Sequence, residues 1–218
     1  MKFIGRKKEL ETLEILLKKK SASLVVIHGR RRVGKSRLIS EFVSEKKSWT
    51  FVGNPPEPGI TKQRQLDTFS TQISQNLAIP KIQVSEWSEH FAFLGNQAKG
   101  QKIVIVFDEI SWMGSKDPDF LGYLKTAWDL HFSRNPELIL ILCGSVSSWI
   151  EENILKSTGF VGRVSVDLVL EELDARNRCK EKSNHRVKIR SQSECFGSAS
   201  TCHAFVWGQQ SLQVTYNQ

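Results

Sequence analysis

A chain of 218 residues with 39% hydrophobic and 25% charged residues has room for one α/β core with a short extension, and its balance is that of an ordinary soluble globular protein. No run approaches the ~20 apolar residues that span a bilayer, and Met1-Lys2-Phe3-Ile4-Gly5-Arg6 leads into a charged amphipathic segment without the apolar stretch of a secretory signal; a cytoplasmic location and no membrane partner are expected. The net charge of +8 admits nucleic acid without implying it, because seven Lys and Arg against two Glu fall after residue 175 and carry five of the eight charges.

In chain order, Leu10, Leu13 and Leu17 mark a first helix. Lys7, Lys8 and Lys18-Lys19-Lys20 read as its solvated face, with a DNA-binding patch as the rival reading. Leu24-Val25-Val26-Ile27 suits a buried parallel strand. It is followed by His28-Gly29-Arg30-Arg31-Arg32-Val33-Gly34-Lys35-Ser36, and then by Leu38, Ile39, Phe42 and Val43 at helical spacing. Strand, GxxxxGK[ST] loop and helix in that order predict a phosphate-binding loop. Gly29 and Gly34 let the backbone turn so that N–H groups and the helix N-terminus face phosphate oxygens, where a Cβ would crowd the path. Arg30, Arg31, Arg32 and Val33 between them, and Arg37 just after, are counted with the binding residues. Lys35 is expected to reach the β- and γ-phosphates as a point charge, and the Ser36 hydroxyl to ligate Mg²⁺. A nucleoside triphosphate and Mg²⁺ are therefore the expected ligands, and His28 is expected to be a packed residue.

Beyond the loop helix, Trp49-Thr50-Phe51-Val52 reads as a strand and Asn54-Pro55-Pro56-Glu57-Pro58-Gly59 as an irregular loop. Leu66, Phe69, Ile73 and Leu77 form one helical stripe, Trp87, Phe91 and Leu94 a second, and Phe120, Leu121, Leu124, Trp128 and Phe132 a third, each read as core. Between the second and third lies Ile103-Val104-Ile105-Val106-Phe107-Asp108-Glu109, an apolar strand ending in two acids. At the carboxyl end of such a strand Asp108 is placed to hold the metal and Glu109 to polarise the attacking water. A third strand, Leu138-Ile139-Leu140-Ile141-Leu142-Cys143, ends in Gly144-Ser145. Ser145 is the candidate γ-phosphate sensor; an ordinary turn, with Ser147 or Ser148 capping the helix that carries Trp149, Ile150 and Ile154, is the competing reading. Strands alternating with helices predict a parallel sheet covered on both faces.

These residues resemble the predicted AAA+ ATPases of the archaeal and bacterial type, related to the signal-transduction ATPases with numerous domains. The resemblance rests on Phe3-Ile4-Gly5-Arg6 with Glu9-Leu10, on the loop with its triple arginine, on Phe107-Asp108-Glu109, on Cys143-Gly144-Ser145 and on Gly162-Arg163. It implies a P-loop NTPase fold, a three-layer α/β sandwich around a parallel central sheet over residues 1–173. It also implies that Ile4, Gly5 and Arg6 pack near the adenine and that Arg163 supplies an arginine close to the phosphates. A solvated charge is the alternative for Arg163.

From residue 174 to 218 an irregular tail is expected. After Arg176 there is one leucine, Leu212, and one isoleucine, Ile189, in a serine- and glutamine-rich context. The resemblance stops there too, which leads to the expectation of a reading frame disrupted shortly after Leu173, with a natural disordered tail as the rival. Cys179, Cys195, Cys202, His185 and His203 lack the C-x₂₋₄-C spacing of a structural zinc site, and Cys143 reads as a small buried hydrophobe. Two functions follow. One is an Mg²⁺-dependent ATPase that moves an attached domain or partner, a homo-oligomer included; the other is a nucleotide-dependent switch with little turnover.

Overall fold

The computed structural model describes residues 5–55, 57–173 and 187–189. Five strands, β1 (Ser23–His28), β2 (Ser48–Val52), β3 (Ile103–Asp108), β4 (Leu138–Gly144) and β5 (Val164–Val169), run parallel in the order β2-β3-β4-β1-β5. A three-residue strand, β6 (Val187–Ile189), pairs antiparallel outside β5. The otherwise parallel sheet thus gains one antiparallel margin from a stretch in which the sequence shows no legible element, three residues being too few to carry a period. The other residues expected to form an irregular tail, with their cysteines and histidines, lie outside the described residues.

Side-chain alternation along the strands divides the interior in two. Ile103, Ile105 and Phe107 of β3, with Leu138, Leu140 and Leu142 of β4, face a core shared with α3 (Lys62–Leu77), α4 (Trp87–Ala98), α5 (Ile110–Met113) and α6 (Phe120–Leu130). α7 (Ser147–Ile150), which runs into a π-helical turn at Glu151–Leu155, covers the same face. Val104, Val106, Ile139, Ile141 and Cys143 face the opposite core with α1 (Lys7–Leu16) and α2 (Lys35–Val43). This is the three-layer sandwich expected, and β3 from Ile103 to Phe107 and β4 from Leu138 to Cys143 are continuously apolar because both faces are covered. At about 1.5–3 kcal/mol per buried large aliphatic or aromatic side chain, the two cores are what hold the carboxyl ends of β1, β3 and β4 in register.

α3 also finishes the edge of the sheet. Asn76 accepts from the Thr50 N–H (3.1 Å) and donates to the Thr50 carbonyl (3.0 Å); Gln72 does the same to Val52 (2.6 and 2.9 Å) and Gln65 to Asn54 (3.4 and 3.3 Å). Gln72 and Asn76 are one helical turn apart, a rise of ~6 Å, and the two strand residues they meet are ~6.6 Å apart; Gln65, two turns further back along α3, meets Asn54 just beyond the end of β2. Each side chain takes the place of a neighbouring peptide.

His90 of α4 is fully buried, with Ser70 Oγ 2.7 Å from its Nε2 and the Phe69 ring 5.1 Å away. Burial lowers its pKa from 6.5 to about 4, against a smaller opposing pull from Asp67. The unfolded chain therefore binds a proton that the fold excludes: stability is complete above about pH 6.5 and falls as pH drops towards 4, by about 3 kcal/mol in all. Urea unfolding at pH 7 and pH 4.5 should reveal the loss. His90→Gln, which cannot titrate, should flatten that part of the profile; an unchanged profile would remove His90 as its cause.

Candidate nucleotide-binding site

The phosphate-loop sequence connects β1 to α2 at the carboxyl end of the sheet, the end where ligands bind in open α/β folds. Gly29 is required by space: a Cβ there would lie 2.1 Å from the Leu170 carbonyl oxygen, because the segment after β5 continues the ladder alongside. Gly34 caps α2 at φ 96°, in the left-handed region. The Lys35 ammonium is buried and donates to the carbonyls of Gly29 and Arg30, both at 2.9 Å, lying across the loop it belongs to. Arg30, Arg31 and Arg32 are exposed, Arg32 at φ 66°. Arg37 pairs with Glu41 one turn along α2 at 3.4 Å.

Ser36 and Asp108, 72 residues apart, come together here. The Ser36 hydroxyl donates to Asp108 Oδ2 at 3.0 Å, while Oδ1 accepts from the Glu109 N–H at 3.0 Å. Two hard oxygen donors on one spot, one of them anionic, suit Mg²⁺, which takes few protein ligands and leaves its other positions to water and phosphate. Glu109 begins α5 at φ 52°, a left-handed conformation rare outside glycine. Its carboxylate accepts from both the Ser145 hydroxyl (2.9 Å) and the Ser145 N–H (3.2 Å) at the end of β4. Ser145 is therefore engaged with the acid. Neither Ser147 nor Ser148 caps α7; Val146 holds that position, without a side-chain bond.

Three contributors are not visible as motifs. Cys143, facing α2, lies against Asp108; burial first, then that carboxylate, pushes its thiol well above the usual value, so it stays protonated beside the acid. Gly53 lets the end of β2 approach the turn that carries Glu109: a Cβ would stand 2.6 Å from the Glu109 carbonyl and 2.8 Å from the Met113 nitrogen. Trp112 of α5 lies under the Arg31 guanidinium, 5.3 Å from Cζ to the ring centroid. A sequence signal existed for Gly53 alone, as a glycine placed directly after a strand.

The other expected residues lie before α1 and before β5. Arg6, at φ 60° and 5% exposed, donates to Glu9 (3.0 Å), to the Val33 carbonyl (2.9 Å) and to the Glu171 carbonyl. It ties α1, the loop and the segment after β5 together beneath the site. Gly5 packs at Leu173, and Ile4 lies outside the described residues. Arg163 precedes β5 and therefore lies at the amino end of the parallel strands, roughly 17 Å along the strand from the phosphate loop. There it makes a bidentate pair with Asp129 of α6 at 2.7 and 2.9 Å, which raises its own pKa and lowers that of Asp129. The structure does not bring Arg163 and the loop together within one chain. His28 is packed, as expected, with its Nε2 3.0 Å from Asp167.

A cavity of about 380 Å³ opens beside the loop, between Gly29, Arg30 and Val33 on one side and Val169–Glu172 on the other. A family model described as an ATPase domain predominantly from Archaea matches residues 3–186. The chain belongs to this family. Over 153 residues this ATPase domain is 24% identical to the uncharacterized protein MJECL04 of Methanocaldococcus jannaschii, covering 70% of the chain and 32% of that protein. Over 45 residues it is 49% identical to the uncharacterized ATP-binding protein MJ0423 of the same organism, covering 21% of the chain and 76% of that protein. Among solved structures, the Walker-type ATPase PABY2304 of Pyrococcus abyssi superposes with a TM-score of 0.56 at 19% identity, over 80% of the chain and 55% of that structure. The ATPase domain thus spans about a third of the first relative and just over half of the solved structure, whose likeness shows the fold. The family is one of ATPase domains and the parallel sheet has the P-loop NTPase fold, in keeping with the AAA+ type that the motifs resemble. No helix among the described residues is long and apolar enough to cross a membrane.

Proposed function

We propose that this domain binds ATP with Mg²⁺ and hydrolyses it, and that hydrolysis changes the conformation of an attached domain or partner. The observation that carries the reading is the convergence of Lys35, Ser36, Asp108 and Glu109 at the carboxyl ends of β1 and β3, with Ser36 and Asp108 3.0 Å apart. Lys35 would exchange its two loop carbonyls for phosphate oxygens, a stronger charge-assisted partner. The nucleoside would occupy the cavity beside Val33 and Leu170, since the Glu171 and Glu172 carboxylates at its rim disfavour phosphate there. Ser36 and Asp108 would hold Mg²⁺, which supplies charge neutralisation at the β- and γ-oxygens when bound. Ser145, with its hydroxyl and N–H on Glu109, would turn its hydroxyl to a γ-oxygen and leave Glu109 free to take a proton from water. ATP is preferred to GTP in this reading on the strength of the family, an ATPase domain.

Arg163, remote from the loop, favours a second reading, a switch that holds ATP with little turnover. Calorimetric titration with Mg-ATP and Mg-GTP, with phosphate release followed in the same samples, separates the two. Binding with turnover supports hydrolysis, and binding alone supports the switch. Absence of ATP binding would overturn both.

A further inference from the structure

Transfer of a phosphoryl group to water forms a bond from the water oxygen to the γ-phosphorus and breaks the bond to the bridging oxygen. The electron pair leaves with ADP and the water's proton goes to a base, so negative charge grows on the oxygens around phosphorus. In this chain Arg163, just before β5, is at the wrong end of the sheet to meet that charge, yet the phosphate loop carries an arginine of its own. A loop that turns its N–H groups inward turns its side chains out, and the Arg31 guanidinium comes to rest over the Trp112 ring at 5.3 Å. Trp112 stands on the first turn after Glu109: its N–H donates to the Glu109 carbonyl at 2.8 Å, and its carbonyl accepts from Gln65 Nε2 at 3.0 Å. Gly53 packs against the same turn, where a Cβ would stand 2.8 Å from the Met113 nitrogen. The guanidinium is therefore held on the flank of the loop that Glu109 occupies, by a ring fixed at two backbone points. A cation over a partly buried ring is held less tightly than one on a phosphate, so it is exchangeable.

We infer that Arg31 is an arginine supplied by the phosphate loop itself to the γ-phosphoryl oxygens in the transition state, and that Trp112 is the positioning residue that presents it. The inference rests on the ATP-hydrolysis reading above. The test compares affinity for Mg-ADP alone with affinity for Mg-ADP plus aluminium fluoride, a mimic of the transferring group, beside phosphate release, in the full chain and in Arg31→Ala, Arg31→Lys, Trp112→Leu and Trp112→Phe. Arg31→Ala should keep Mg-ADP affinity within about threefold while losing about 100-fold of the tightening by fluoride and a similar factor in turnover, the scale of a lost transition-state donor; Arg31→Lys should recover part of both. Trp112→Leu should lose about tenfold of the fluoride tightening with Mg-ADP affinity unchanged, and Trp112→Phe, which keeps a ring, should restore it. A structural role for Trp112 would instead weaken Mg-ADP alone. Full fluoride tightening in Arg31→Ala overturns the inference and leaves hydrolysis standing. A wild-type chain that binds Mg-ADP but neither tightens with fluoride nor releases phosphate overturns the hydrolysis reading, and the inference with it.

Discussion

Lys35→Ala is expected to weaken Mg-ATP binding by about 100-fold. The Lys35 ammonium is buried and fixed by the Gly29 and Arg30 carbonyls at 2.9 Å, so little conformational freedom is lost when it changes partners. A hydrogen bond to a charged group contributes up to about 3 kcal/mol, which corresponds to roughly two decades in dissociation constant. Removing the ammonium also leaves the two loop carbonyls without their donor, so the loop should lose order as well as charge. Calorimetric titration of the two proteins checks this. An affinity within about threefold of wild type would mean that the triphosphate lies elsewhere.

Glu109→Gln should leave binding intact and lower phosphate release by about 10²–10⁴-fold, the range for loss of a positioned general base. The substitution is chosen for its geometry. An amide oxygen still accepts from the Ser145 hydroxyl and N–H, now at 2.9 and 3.2 Å, and the left-handed turn at φ 52° is unaffected by the change of side-chain terminus. What is lost is the ability to take a proton. Phosphate release at saturating Mg-ATP is the measurement, and turnover within about threefold of wild type would remove Glu109 from the chemistry.

The parts of the site legible in the sequence are those whose chemistry is written in consecutive residues. Gly29 to Ser36 announce a loop because two glycines, a lysine and a hydroxyl must follow one another there, and Asp108 and Glu109 announce a strand end because five apolar residues precede them. Both cores were legible for the same reason, the strand runs and helical stripes being local patterns. Arg163 shows the limit. Its motif does not say which end of a strand it marks, whereas strand direction in the sheet places a residue just before β5 away from every loop that follows a parallel strand. Cys143 on Asp108 and Trp112 under Arg31 depend on how side chains from separate elements meet, and no spacing encodes that. The short β6 falls where hydrophobic periodicity is absent.

Gln65, Gln72 and Asn76 give the sheet a finished hem. Along β2 the N–H and carbonyl groups of Thr50 and Val52 that another chain could use as a template are already taken, by side chains that cannot propagate the pattern to a further layer. Growth of this sheet, whether by strands from elsewhere in a longer polypeptide or by a second molecule, is therefore directional: it is closed off beside β2 and proceeds from the β5 flank, where β6 is laid down. Crowded or newly made copies are correspondingly spared one route to stacking on each other.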